Sequence, residues 1–465
     1  MSQFPESTSG FLPLVIGPDA LAARLSLIRR ATARIDIQYY LIKDDIVGRA
    51  FFDALLNAAD RGVQVRILLD DMFTSGQDRT LVALDEHPNL EIRIFNPFRR
   101  RFPGRHVSAL LFARLVNRRL HNKSFTVDDV ATILGGRNIA DEYFGAREDA
   151  RFGDFDVLAT GTIVDGVSAS FDEYWEHPAA VPLARFMRPV EDQATALREL
   201  RSALTRSTRE IAESKYANAI RYRIDLFERL DLAALPRSPY RLLVDSPDKG
   251  LPDKAAAAGS IMTPILESLM DAQSEVVIIS PYFVPRKRGL ERLKALVEKG
   301  TNVTIVTNSL AANNQFLVHG GYAPSRKRLL RLGVRIHEVR PDANVPGTEF
   351  VNASGARATL HTKAYVVDRR DVFIGSFNFD PRSANINTEI GVLIRDPELA
   401  REHIERMQGL LPGETYELFL TDHRRLGWRC QRGGKTVIYH NEPRTSPSQR
   451  AIARLARCLP IRGQL

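Results

Sequence analysis

Cysteine is nearly absent: Cys430 and Cys458 are the only two in 465 residues. They make neither a disulfide framework nor a metal-ligand spacing. Long apolar runs are absent too. The longest stretch, Val107 to Val116, is broken by Arg114 and falls well short of the roughly 18–20 residues of a membrane span. The opening MSQFPESTSGFLPLV has neither the basic start nor the unbroken apolar run of a signal peptide. A soluble, reduced, cytoplasmic chain is therefore expected. Hydrophobic residues at 44% and charged residues at 26% exclude a disordered or fibrous chain. The length suits about two or three domains. Against 56 acids stand 65 Lys and Arg, a net charge of +9, which favours a phosphate-bearing partner: nucleic acid, nucleotide or anionic lipid.

What the chain does have is itself, twice. Arg34–Tyr40 (RIDIQYY) and Val276–Tyr282 (VVIISPY) both read as a buried strand after a helix. Ala58–Leu69 and Leu296–Val306 both end a helix at a basic residue plus glycine and begin a strand. Asn89–Pro97 matches Gly333–Pro341, and His121–Asn138 matches His361–Asn378. The offsets Tyr40/Tyr282, Gly62/Gly300, Pro97/Pro341 and His121/His361 are 242, 238, 244 and 240 residues. Each half alternates strands and helices, so each is expected to be an α/β sandwich with a mixed sheet. The boundaries read as 1–190 and 238–413 for the halves. A polar, helix-favouring connector spans 191–237, and an appendage spans 414–465, where the repeat has ended.

His121, Lys123 and Asp128 have the spacing H-x-K-x4-D, and His361, Lys363 and Asp368 repeat it. In a strand, residues i and i+2 share a face, so each His projects with its Lys. Each Asp points the other way and is expected to satisfy backbone donors near a turn. Glycine-led strand ends follow, Gly135–Asn138 and Gly375–Asn378. Two histidines facing each other across a pseudo-twofold axis can divide the work on a phosphodiester. One attacks phosphorus; the other protonates the leaving oxygen and then activates the incoming alcohol or water. Lys123, Lys363, Asn138 and Asn378 would surround the non-bridging oxygens. With no acidic cluster or Cys/His cage, neither metal nor cofactor is called for.

A nucleophilic histidine is held in one tautomer, usually by a carboxylate on its far nitrogen. Glu389, on the strand after the second motif, is the candidate in the second half. Asp154 and Asp156 occupy the comparable strand of the first half, and Asp156 is favoured. The symmetric motifs do not say which histidine attacks.

The paired motifs and their sequels resemble the phospholipase D superfamily over nearly the whole chain. Within it the chain is most similar to bacterial cardiolipin synthases, particularly the C type. The likeness rests on DIQYYLIKDD, LLDDMFTSGQD, NRRLHNKSFTVDD, GGRNIADEYFG, FDEYW and GSFNFDPRSANINTEIG, with GKTVIYHNEP and LPIRGQL in the tail. The resemblance implies two α/β repeats sharing one active site. It also implies transfer of a phosphatidyl group from one phospholipid to a headgroup hydroxyl of another, through a phosphohistidine. It assigns roles to His121, Lys123, Asn138, His361, Lys363 and Asn378, with Asp128 and Asp368 structural, and it makes His121 the nucleophile. Gly136 stands where the second motif has Ser376, so only the second half offers a hydroxyl contact there.

A lipid substrate fits the charge. Phe98–Leu120 holds seven arginines (99, 100, 101, 105, 114, 118 and 119), no acid, and apolar residues interleaved, which suits an anionic membrane surface. Arg114, Arg118 and Arg119 lead into His121 and are read as headgroup binders. Arg286–Arg288 and Arg326–Arg328 would extend the same positive face, and Ser309–Gln315 is a polar loop within reach of a headgroup. The expected partners are phosphatidylglycerol, phosphatidylethanolamine and the inner face of the cell membrane. A phospholipase D hydrolase is the rival reading. A nuclease is disfavoured, since such members are usually short single-motif chains that dimerise, and nucleic-acid grooves more often interleave aromatics for stacking.

Overall fold

The computed structural model describes residues 4, 7–74, 76–98, 117–147, 149–185, 187, 193–251, 259–313, 315–345 and 357–456. The first half contributes strands β1 (Thr8–Leu14), β2 (Arg34–Tyr39), β3 (Gln64–Asp70), β4 (Leu90–Phe95), β5 (Ser124–Val127), β6 (Ala131–Gly135), β7 (Ala150–Gly153), β8 (Asp156–Gly161) and β9 (Ala180–Pro182). Its sheet runs β9-β4-β3-β2-β5-β6-β8-β1, with β2, β3 and β4 mutually parallel and the other neighbours antiparallel. Buried stretches such as Ile67–Leu69 in β3 read as continuous apolar runs because helices cover them. The helix Ile46–Asp60 starts where Asp45 accepts from the Gly48 amide at 3.0 Å. It stops at Gly62, whose φ of +94° suits glycine alone.

The second half contributes β10 (Arg237–Val244), β11 (Glu275–Ile279), β12 (Asn302–Asn308), β13 (Arg335–Val339), β14 (Arg357–Leu360), β15 (Ala364–Val367), β16 (Asp371–Gly375), β17 (Ile390–Arg395), β18 (Thr415–Leu420), β19 (Leu426–Arg432) and β20 (Lys435–Tyr439). Its sheet runs β10-β17-β16-β15-β11-β12-β13-β18-β19-β20. Strand for strand this is the first sheet again, and Gly300 repeats Gly62 at φ +95°. The duplicated α/β architecture read from the sequence is present. The repeat runs one strand further than the sequence comparison placed it: β18 pairs with β13 as β9 pairs with β4. Residues after Glu414 thus begin inside the second sheet, and β19 and β20 extend it.

Edge strands β1 and β10 pair antiparallel and join the sheets. Their inner faces share one apolar core, including Leu134, Val157, Ala364, Ile374, Ile390 and Val392. The connector forms two helices, Gln193–Glu210 and Lys215–Glu228, laid over the first half's helices Gly17–Arg30 and Ile46–Asp60. Among the described residues no helix is long and apolar enough to cross a membrane.

Candidate active site

Two short parallel pairings across the halves build the site. Leu120 pairs with Thr388, so the His121 amide donates to the Thr388 carbonyl at 3.0 Å. Strand β14 pairs with β7, and the His361 amide donates to the Gly153 carbonyl at 2.7 Å. Each histidine is thereby set against the carboxylate that follows its partner strand in the opposite half. His121 Nδ1 lies 2.7 Å from Glu389 Oε2, and His361 Nδ1 lies 2.5 Å from Asp154 Oδ2. An ionised carboxylate can only accept, so whenever Glu389 and Asp154 are ionised Nδ1 carries the proton and Nε2 is left with its lone pair. Lys363 Nζ also lies 2.8 Å from His361 Nδ1.

The favoured first-half carboxylate, Asp156, is not a histidine partner. It accepts from Arg24 Nη2 at 2.8 Å and from the Arg137 amide at 3.1 Å, deep in the first half. Strand register gives the reason. Gly135 pairs with Asp156 and Gly375 pairs with Gly391, so the residue equivalent to Glu389 lies two before Asp156, at Asp154. The pairing also crosses the halves: Glu389 serves His121, not the histidine of its own motif.

Gly136 and Ser376 face these carboxylates. A Cβ on Gly136 would stand 2.1 Å from Asp154 Oδ1, so glycine alone lets that carboxylate reach the site. Ser376 instead donates its hydroxyl to Glu389 Oε2. The Asp245 side chain accepts from the Glu389 amide at 2.9 Å and is held by Lys249 at 2.6 Å.

Lys123 donates to the carbonyl of His121 at 2.7 Å, and Lys363 donates to that of His361. All four side chains are buried. Asn138 donates to the Tyr143 hydroxyl at 2.9 Å, while Ser383 accepts from the Asn378 amide at 3.2 Å. Among the described residues the side-chain carbonyls of Asn138 and Asn378 have no hydrogen-bond partner.

Electrostatically the halves form one cluster. Burial, then Lys123 and Lys363, hold His121 well below its usual range. Burial and Lys363 lower His361 to about 3, against the pull of Asp154. Burial lowers Lys123 to about 7 and Lys363 to about 8, opposed chiefly by Glu389 and Asp154 respectively. The two carboxylates part company. Burial pushes Glu389 up to about 7 despite Lys123. For Asp154 the burial penalty is outweighed by Lys363 and His361, and its carboxyl lies well below the usual range. Two buried cations poised near neutrality beside two neutral imidazoles make a receptacle for an anion.

Asp128 and Asp368 stand at the far ends of the motif strands, in tight turns where they take φ of +52° and +51°. Asp128 accepts the amides of Thr32, Ala33 and Arg34, each at 2.8 Å; Asp368 does the same for Gln273, Ser274 and Glu275. They tie a hairpin to the neighbouring strand and touch no reacting group.

The arginines expected to bind headgroups point elsewhere. Arg118 donates to the Pro247 carbonyl at 2.7 Å and lies over Phe95; Arg119 pairs with Asp70 at 3.1 Å and lies over Phe98. Both are buried, because the segment entering His121 must be anchored from beneath. Arg114 and most of the basic segment, residues 99–116, lie outside the described residues.

Sequence reasoning missed several neighbours. Tyr40 packs edge-on against His121, with ring centroids 5.2 Å apart. Tyr143 meets His361 edge-on at 5.0 Å, and Phe152 stacks on it at 5.6 Å. Arg382 adds positive potential at His121 and bonds the Asn117 carbonyl at 2.8 Å. Tyr40, Tyr143 and Arg382 all lie inside the motif segments, and Tyr40 was already an anchor of the repeat.

A repeated α/β half, carrying His and Lys on the extended segment that leads into a strand, with a carboxylate from the opposite half, defines a phospholipase D-like phosphodiester-handling site. The chain belongs to the family described as cardiolipin synthase, PLD-like domain, which matches residues 25–175 and 265–411. It is 41% identical to cardiolipin synthase C of Escherichia coli K12, over 99% of this chain and 97% of that protein. An uncharacterised Helicobacter pylori 26695 protein is 32% identical over 96% of this chain and 88% of its own. The fold is shared with phosphatidylserine synthase from Haemophilus influenzae: TM-score 0.62 and 18% identity, covering 98% of this chain and 95% of that one.

Proposed function

We propose that this enzyme is a phosphatidyltransferase that makes cardiolipin from two phospholipids at the inner face of the cell membrane. The donor would be phosphatidylglycerol or phosphatidylethanolamine, and the acceptor a headgroup hydroxyl of phosphatidylglycerol. The observation that carries the reading is the crossed pair of His–carboxylate contacts in one buried, lysine-lined cluster. The likeness to a cardiolipin synthase over nearly the full length supports the choice of lipid.

His121 Nε2 attacks phosphorus, and a P–N bond forms. Entry of the anionic phosphodiester among the lysines raises His361, neutral in the empty site, so that its Nε2 takes up a proton from solvent. The P–O bond to the headgroup then breaks as His361 gives that oxygen this proton. His361, now neutral, takes the proton of the incoming hydroxyl. Its oxygen attacks phosphorus, the P–N bond breaks, and His121 is restored. The division of labour follows the carboxylates. An ionised Asp154 stabilises an imidazolium, which the acid His361 must carry. Glu389, ionised once the pH passes about 7, accepts from His121 Nδ1 and leaves Nε2 unprotonated as the nucleophile. Lys123, Lys363, Asn138 and Asn378 stabilise the charge on the non-bridging oxygens.

The test is incubation with phosphatidylglycerol vesicles, with and without phosphatidylethanolamine, followed by lipid mass spectrometry. Cardiolipin with released glycerol or ethanolamine is expected. Phosphatidic acid alone would make the enzyme a hydrolase. Cleavage of DNA or RNA without lipid turnover would overturn both lipid readings.

A further inference from the structure

The two halves differ on their outer helical faces. In the first half, Leu21, Leu25 and Ile28 of one helix and Val47 of the next are buried. The connector helices roof them, leaving a cavity of about 380 Å³. The equivalent pair in the second half is Met262–Met270 and Arg286–Glu298. Among the described residues no comparable helical roof lies over that pair. Between them is an open groove of about 620 Å³, floored by Ile265, Leu269, Leu293 and Leu296 and flanked by half-buried Met262 and Leu266.

Its rim is cationic. Arg286, Lys287, Arg288 and Arg292 line it. The first three occupy the opening turn of their helix with no acid beside them, where the helix dipole disfavours positive charge. Arg286 also holds a left-handed φ of +48°, a conformation that costs a non-glycine residue about 1–2 kcal/mol. None of the four makes an ion pair within the described chain. Asp380 is the one carboxylate in the lining, and it is committed to capping Ser383 at 2.9 Å. The groove's inner wall is Phe377 and Phe379, the residues on either side of Asn378.

We propose that this groove binds an anionic phospholipid of the bilayer. One acyl chain lies between the helices, and the phosphate rests on Arg286, Lys287, Arg288 and Arg292. The size suits a small-molecule site. An apolar trough with an unneutralised cationic lip matches a lipid end to end: chain inside, phosphate at the edge. The bound lipid would seat the second half on the membrane directly behind the segment that carries Asn378. The inference rests on the phospholipid reading of the enzyme, but concerns a second lipid-binding place and not the reacting one.

A phosphatidylglycerol carrying a photoreactive diazirine on one acyl chain tests it. It is mixed into phosphatidylglycerol/phosphatidylcholine vesicles with the full chain, and adducts are mapped by peptide mass spectrometry. Labelling should concentrate on Met262–Met270 and Arg286–Glu298. It should drop in phosphatidylcholine vesicles bearing a diazirine phosphatidylcholine. In the variant R286Q/K287Q/R288Q it should fall about a hundredfold at limiting lipid. Leu266→Asp should reduce it with the cations intact. Adducts confined to other surfaces would overturn the proposal, as would equal labelling with either headgroup. So would protection of the two helices by self-association in lipid-free solution. Cardiolipin synthesis with the groove unlabelled would sink this inference alone. Groove labelling without any lipid turnover would sink the proposed function and leave the groove.

Discussion

The first and second halves share a strand plan, yet each finishes its catalytic corner differently. Glycine and a short aspartate meet at one corner: Gly136 clears the space, and Asp154 reaches His361 from it. At the other, serine and a longer glutamate meet: Ser376 bonds Glu389, which reaches His121. The solutions are geometrically interchangeable but electrostatically unequal. One carboxylate is firmly ionised and the other titrates near neutrality. A symmetric scaffold thereby supplies an asymmetric pair, which the proposed two-step transfer needs because in it only one histidine would be covalently modified. The lesson extends to the outer faces, where the connector roofs one helix pair and, among the described residues, no helix roofs its counterpart.

The largest effects should come from the histidines. His121→Ala and His361→Ala should each lower phosphatidyl transfer by at least about 10³-fold. The double variant should be no worse than His121→Ala, since groups acting as one unit are not additive. Losses that multiplied would mean two independent sites, which would break the comparison.

The carboxylates come next. Asp154→Asn and Glu389→Gln should each cut kcat by about 10²- to 10³-fold through loss of tautomer control, with the melting temperature little changed. Asp156→Asn should do the opposite. It leaves buried Arg24 short of its partner and costs about 3–5 kcal/mol of stability, while the folded fraction turns over normally. Denaturant titration beside kinetics separates the two outcomes.

Exchanging the corner residues sharpens the contrast. Gly136→Ser should displace Asp154 and depress kcat about a hundredfold, because a Cβ would stand 2.1 Å from its oxygen. Ser376→Gly removes one charge-assisted hydrogen bond and should cost about tenfold. Equal effects at both positions would argue that the corners are equivalent.

The pH profile carries the smallest effect. Transfer needs Glu389 ionised and the lysines protonated. With Glu389 at about 7, Lys123 at about 7 and Lys363 at about 8, kcat/KM should rise as pH approaches 7. It should fall as pH climbs past 7, where Lys123 loses its proton, and more steeply past 8, where Lys363 follows, a narrow bell reporting the free enzyme. Glu389→Gln should flatten the acid limb and leave the alkaline one.

Much of this was legible in the chain. The duplicated H-x-K-x4-D segments located both histidines, both lysines and the shared architecture, because strand periodicity and motif spacing are local properties. Glu389 was legible as a partner, but its owner was not: which histidine it serves depends on the pairing of Leu120 with Thr388, between residues 268 apart. Asp154 was passed over for Asp156 because the choice turns on a two-residue register between strands. Arg118 and Arg119 looked like a cationic lip because composition records charge and not direction. The roofed and open helix faces are a matter of tertiary placement, to which neither helix's own sequence refers.

The central claim is a single site in which His121 takes the phosphatidyl group while His361 moves the proton. The most direct measurement is rapid acid-free quenching of the enzyme with phosphatidylglycerol, followed by peptide mapping of the covalent adduct in wild type, His121→Ala and His361→Ala. An adduct on His121 is predicted in the wild type. It should accumulate in His361→Ala when the donor carries a good leaving group, and vanish in His121→Ala. An adduct on His361, or one that survives His121→Ala, would contradict it.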